Sequence, residues 1–256
     1  MQELLNELGW NLLSLPAAAA ILGFMAWCGL LGQRALDRGP TRDLDLSLPE
    51  AGVGVLAGPL SAVLLGLPAL MVLLYRATQV EAGLRKVGLI PRWPRRDLAW
   101  ALVAVPVAVV LATAATIVTV LFGQLIGKPM DPEAQTGHST LETLLYESDP
   151  ARILLIVLTA AILAPVIEEI SFRGVMQTAL LRLSGTESRW PALLTTATVF
   201  GLMHHGAVTS WHMLPALIVL GLVFGYVYER TGSLLCCTLV HAGFNAWNLG
   251  LVLLAR

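Results

Sequence analysis

The stretch ILLIVLTAAILAPVIEEISFRGVMQTALLRL, residues 153–183, decides the fold. Its opening run, Ile153–Ile167, carries no charge but is only 15 residues long. A helix needs about 20 residues to cross roughly 30 Å of hydrocarbon at about 1.5 Å per residue, so this run cannot span a bilayer unaided. Two glutamates follow at once, and the helical, largely apolar pattern nevertheless continues to Leu183. One continuous helix over Ile153–Leu183 would be about 46 Å long and would carry Glu168 near mid-membrane. That is the preferred reading. A break at the glutamates, leaving an extra half-span, is the alternative.

The rest of the chain is of the same character. Of 256 residues, 56% are hydrophobic and 13% charged, about half of the roughly 25% charge common in soluble domains. Mean hydropathy is +0.74. A surface this poor in charge excludes a water-facing fold, and a net charge of −1 argues against a binder that neutralises nucleic-acid phosphates. Cys28, Cys236 and Cys237 stand in apolar runs without zinc-ligand spacing and read as small core or lipid-facing residues.

Charge-free runs give the other spans: Trp10–Leu31, Ala51–Tyr75, Leu98–Gly127, Trp190–Val208, Met213–Tyr228 and Thr231–Ala255, with HGAVTSWH (205–212) separating two of them. With the central helix this makes an all-α, polytopic membrane bundle of seven spans, or eight if the central helix breaks. Ten Lys and Arg fall on the side of segments 76–97, 168–189 and 229–233, against six opposite, which predicts a cytoplasmic N-terminus. Compact loops and Ala/Leu-rich spans point toward a bacterial cell membrane. Residues 80–93 read as an interfacial amphipathic piece, and 128–150 as an acidic outer loop, helical around LETLLYES (141–148). The organisation expected is an N-terminal set of helices with the interfacial segment at 1–150, and a functional core at 151–256.

Ionisable groups inside the membrane carry the functional signal. Each Glu or Arg at a helix centre costs on the order of 2.5–3.5 kcal/mol, so Glu168, Glu169 and Arg173 need partners. Glu169 and Arg173 stand i,i+4 with the acid first, the favourable order for an ion pair. Glu168, about 100° round the helix, has no evident partner in its own segment. His204 lies in the fifth span and His241 in the last, with Asn245 one turn beyond His241 on the same face. A carboxylate beside histidines suits the activation of water, and an amide can donate to an oxyanion. Other residues have plainer readings. His205 points about 100° from His204 and suits helix packing, while His138 and His212 read as solvated loop residues. Pro165 would kink the helix and free the Ala161 carbonyl. Phe200 packs beside the site.

The spacings EEISFR (168–173), FGLMH (200–204) and HAGFN (241–245) fit EExxxR, FxxxH and HxxxN in that order. In this the chain resembles the CPBP family, the type II CAAX prenyl endopeptidases and their bacterial, bacteriocin-immunity relatives, over roughly residues 153–250. The resemblance implies a glutamate-dependent intramembrane endopeptidase acting on a membrane-associated protein, of CAAX type or bearing a C-terminal tag. Glu168 and His204 would activate water, His241 and Asn245 would bind the oxyanion, and Glu169 and Arg173 would hold the geometry. It also raises a metal, with Glu168, His204 and His241 as ligands for Zn²⁺. The lack of HExxH and the presence of an amide favour a site without a cofactor. The competing readings are a proton-coupled transporter, against which there is no inverted repeat, and a non-catalytic scaffold or immunity protein, which would not need six matched polar positions.

Overall fold

The computed structural model describes residues 14–31, 36, 46–64, 71, 75, 78–79, 88–90, 94–130, 137–184 and 188–256. Among them lie nine helices and no strand: α1 (Ser14–Trp27), α2 (Leu48–Gly54), α3 (Ala57–Leu64), α4 (Pro94–Leu125), α5 (Ser139–Tyr146), α6 (Pro150–Ser184), α7 (Trp190–Met203), α8 (Leu214–Thr231) and α9 (Leu234–Leu254). A 3-10 turn at Trp211–Met213 leads into α8. The fold is all-α, as composition demands.

The central helix runs through. Asp149 caps its N-terminus by accepting from Ala151 N–H, with Pro150 in the first turn where a missing N–H costs nothing. Two stretches, Thr159–Leu163 and Ile170–Gln177, are wound as π-helix. In the first, Ala164 N–H pairs with Thr159 O, five residues back, instead of with Ala160 O, so this turn leaves the Ala160 carbonyl without its helical donor.

Among the described residues four segments are long and apolar enough to cross a membrane, namely Arg95–Leu125, Pro150–Ser184, Trp211–Thr231 and Leu234–Leu254, against the seven or eight expected of the whole chain. The predicted span Trp190–Val208 ends as a helix at Met203, and the described part of the first span is Ser14–Trp27; each of these helices is 14 residues long. Trp10 lies outside the described residues, as does most of the interfacial piece 80–93. The predicted span Ala51–Tyr75 begins as two short helices, α2 and α3. Pro59 has no N–H to offer Val55 O, so an α-helix cannot pass this point with its ladder intact.

Loop contacts sort the helix ends into two groups. At one end Leu234 N–H donates to Gly88 O at 3.0 Å and Arg189 pairs with Glu229 at 3.0 Å. Here Gly232, at φ 65°, ends α8 in the left-handed conformation glycine allows, and Ser233 caps α9 through Cys236 N–H. At the other end His212 Nε2 meets Lys128 O at 3.0 Å, Ser139 N–H donates to Ala207 O at 2.9 Å, and Arg256 reaches Glu147 O. His212 is therefore buried, not solvated: it lies under Gly123 and stacks on Trp211.

One buried core runs from Leu46 and Ala51 through Ala104 and Ala108 to Phe172, Phe200, Phe224 and Val240, so α4 packs into the same core as α6–α9. Large apolar side chains such as Leu102, Val103, Leu154, Leu155 and Leu251 face outward, as lipid-facing residues do. Helices α7 and α8 approach closely at Gly221, where an added Cβ would lie 2.9 Å from Ala197 Cα and 3.0 Å from its carbonyl oxygen. Gly221→Ala should therefore cost about 1–3 kcal/mol through overpacking, seen as a lower melting temperature in detergent. Gly250→Ala, with nothing within 4 Å, should be neutral or slightly stabilising. Equal melting temperatures for the two would contradict this packing.

Candidate active site

Glu168 and Glu169 sit on the short α-helical stretch Ala164–Glu169, between the two π stretches of α6. Their environments differ sharply. Glu169 has no exposed side-chain surface. Its Oε1 accepts from Arg173 Nη1 at 3.1 Å and from His241 Nδ1 at 2.8 Å, and its Oε2 accepts from the Cys237 thiol at 2.7 Å. Arg173 is equally buried. It donates from Nη2 to Gly221 O at 3.1 Å, and its guanidinium carbon lies 4.6 Å from the Phe200 ring centre and 5.4 Å from that of Phe224, close enough for cation–π attraction.

Glu168 keeps 24% of its side-chain surface exposed, yet its Oε2 is buried without a hydrogen-bond partner. That oxygen lies 3.8 Å from His204 Nε2 and 3.9 Å from His241 Nε2. Such separations are too long for direct hydrogen bonds and invite a bridging water.

Both imidazoles are oriented by their other nitrogen. His204 Nδ1 meets Phe200 O at 2.7 Å, and because a carbonyl only accepts, Nδ1 carries the hydrogen. His241 Nδ1 likewise donates to the Glu169 carboxylate. Both therefore turn Nε2 toward Glu168. His204 can do so because α7 stops at Met203 and the histidine is its C-cap, at φ −84° and ψ 0°. Phe200 packs its ring 4.7 Å from that of His204 and 5.9 Å from that of His241, and Phe224 stacks on His241 at 4.5 Å.

Asn245 is placed one turn past His241, and its Nδ2 donates to Ala160 O at 2.8 Å, the carbonyl released by the π turn. One amide hydrogen thus braces α9 against α6. An amide nitrogen carries two hydrogens, so a second remains.

Three features were invisible in the chain itself. Cys237, read as a core or lipid-facing residue, is a donor to Glu169; its position one turn before His241 on α9 was the available signal. His138, read as solvated, is half-buried and caps α5 through Thr140 N–H, with its ring 6.4 Å from that of His204. Burial, then the neighbouring His204, hold its imidazole below the usual histidine range. Gln177 Nε2 donates to the buried Glu229 at 2.6 Å, closing a network with Arg189 away from the glutamate pair. His205 is exposed and takes no part in the geometry above.

Among the described residues no three His, Cys, Asp or Glu side chains converge as ligands for a metal ion.

No curated protein and no solved structure matches the chain. A family model does match over residues 150–247, that of the type II CAAX prenyl endopeptidase Rce1-like family, and the matched span contains all three motifs and every residue of the cluster. With four helices among the described residues long and apolar enough to cross a membrane, the chain is an integral membrane protein whose residues 150–247 match the model of the Rce1-like type II CAAX prenyl endopeptidases, a family of proteases.

Proposed function

We propose that the protein is an intramembrane endopeptidase that hydrolyses a peptide bond close to the membrane in a membrane-associated protein. The observation that carries this reading is the unpartnered Glu168 Oε2 facing two imidazole Nε2 atoms at 3.8 and 3.9 Å. A water hydrogen-bonded to Glu168 and His204 would give its proton to the carboxylate as its oxygen attacks the scissile carbonyl. The oxygen of that carbonyl becomes an anion. His241, donating from Nε2 in its protonated form, and the second N–H of Asn245 would receive it. Collapse of the tetrahedral intermediate expels the amine, which takes the proton back from Glu168. No metal is needed for this sequence. Glu169 and Arg173 hold the two helices that carry these groups.

The family match supports a membrane-associated protein as substrate; in this reading it is prenylated at a CAAX C-terminus or carries another C-terminal tag. In this reading α1 and α7 also lie within the bilayer of a bacterial cell. The Arg-rich end, with Arg182, Arg189 and Arg230 near Gly232, would be the cytoplasmic one. Tyr226 donates to Leu30 O and Arg182 to Leu46 O, so α1 meets the Arg-rich end with its C-terminus, and a crossing by α1 would leave the N-terminus on the side opposite that end.

The assay is cleavage of membrane-tethered reporter peptides, one series prenylated at a CAAX terminus and one unlipidated. Glu168→Gln should keep the wild-type melting temperature and lose turnover by about 10²–10⁴-fold, since an amide cannot take the proton. Glu169→Gln should lower both, by about 3–5 kcal/mol in stability, because it leaves Arg173 as a buried charge without its counter-ion. Identical stability and activity in the two variants would refute this division of roles.

Asn245→Ala separates bracing from catalysis. Loss of an oxyanion donor lowers kcat about 10²–10³-fold with KM nearly unchanged. A brace alone would lower the melting temperature and leave kcat per folded molecule at the wild-type value.

A further inference from the structure

Glu169 is a carboxylate with no access to water, so each of its oxygens needs a donor from the protein. Arg173 does not supply both. Its guanidinium is turned so that Nη1 meets Oε1 while Nη2 goes to Gly221 O, and the two-pronged arrangement that Arg and a carboxylate usually favour is absent here. His241 Nδ1 also meets Oε1. The donor to Oε2 is the thiol of Cys237, at 2.7 Å.

Cys237 and His241 stand one turn apart on α9 and face α6 together. Helix α9 therefore grips Glu169 at two points, thiol on one oxygen and imidazole on the other. The Cys237 sulfur also lies 3.2 Å from Phe224 O. A thiol has one hydrogen, and the ionised carboxylate is the stronger acceptor. Without that hydrogen, Oε2 is left unpaired in the core. The carboxylate then gains by rotating so that Arg173 serves both oxygens, which withdraws Oε1 from His241.

We propose that Cys237 is a positioning residue for the hydrolytic reaction: its thiol holds the Glu169 carboxylate in the rotation that keeps the His241 ring aimed at Glu168. This rests on the endopeptidase reading for its functional consequence, while the thiol–carboxylate bond stands apart from it.

Two measurements test the two parts. The first is infrared difference spectroscopy of the S–H stretch in the full-length detergent-solubilised protein, wild type minus Cys237→Ala and wild type minus Cys236→Ala. Cys236 is equally buried but donates to a backbone carbonyl, Asp97 O, and so serves as the internal reference. The Cys237 band should lie below that of Cys236, and Glu169→Gln, or Glu169→Asp if the amide variant does not fold, should move it. A Cys237 band at or above the Cys236 frequency would overturn the bond, whatever the protein cleaves.

The second is kinetics on a prenylated CAAX-terminated reporter peptide. Cys237→Ala should lower kcat about ten- to a hundredfold, the worth of one hydrogen bond to a charged group, with KM unchanged. Cys237→Ser, which keeps a donor, should recover most of the loss, and Cys236→Ala should match wild type. Wild-type kcat in Cys237→Ala, or a serine variant no better than alanine, would overturn the positioning role. A low-frequency band in a protein that cleaves no reporter would instead fail the endopeptidase reading and leave the bond standing.

Discussion

A single ionised carboxylate, that of Glu169, organises the functional half of this bundle. Burying such a charge costs far more than its neighbours can lose unless every lone pair finds a donor. The donors come from two helices, Arg173 on α6 itself and His241 and Cys237 on α9. Arg173 passes the constraint on by donating to Gly221 O on α8 and lying against Phe200 on α7. Four helices are thus registered against one another through one charge. Replacing such a pair with apolar residues often stabilises a protein, so the arrangement is better understood as specifying geometry than as adding stability.

What the geometry specifies is the position of the next residue along. With Glu169 fixed toward α9, Glu168 is turned about 100° round the helix, where its Oε2 faces both Nε2 atoms. The helix ends matter as much. Helix α7 stops one residue before His204, so the imidazole is carried on a cap next to the loop 204–213, and that loop is stitched to residues 137–139 by the Ser139–Ala207 and Thr209–Gly137 hydrogen bonds. The site lies inside the bundle yet is walled on one side by loops, with the half-buried His138 among them. In α6, the π stretch before Pro165 releases the Ala160 carbonyl, and Asn245 takes it up. The same side chain can brace two helices and still offer a second hydrogen to substrate.

Much of this was legible because charge in an apolar sequence is conspicuous. Glu168, Glu169, Arg173, His204, His241 and Asn245 stand out by type, and spacings of four residues place Arg173 on the face of Glu169 and Asn245 on that of His241. Helical character followed from composition, and the continuity of α6 from the pattern beyond the glutamates. Helix length did not follow. Apolar runs such as 190–208 show only where lipid-compatible residues stand, not where the backbone leaves the helix, and α7 ends five residues early for that reason. Cys237 was hidden because a thiol looks like any small apolar residue until a carboxylate is found beside it. His212 was hidden because a loop in sequence is not a surface in space: the loop folds back over Gly123 and Lys128. The release of the Ala160 carbonyl was hidden because π pairing leaves no mark on composition.

The central claim is that Glu168, His204 and His241 act on water directly. The most direct measurement is turnover of a membrane-tethered reporter by purified protein whose metal content is determined on the same sample by elemental analysis, before and after exhaustive treatment with a non-inhibitory chelator. The account predicts that turnover persists undiminished with metal far below one equivalent per chain, and that Glu168→Gln abolishes it under both conditions. Loss of turnover on stripping, with recovery only on adding stoichiometric Zn²⁺, would contradict it.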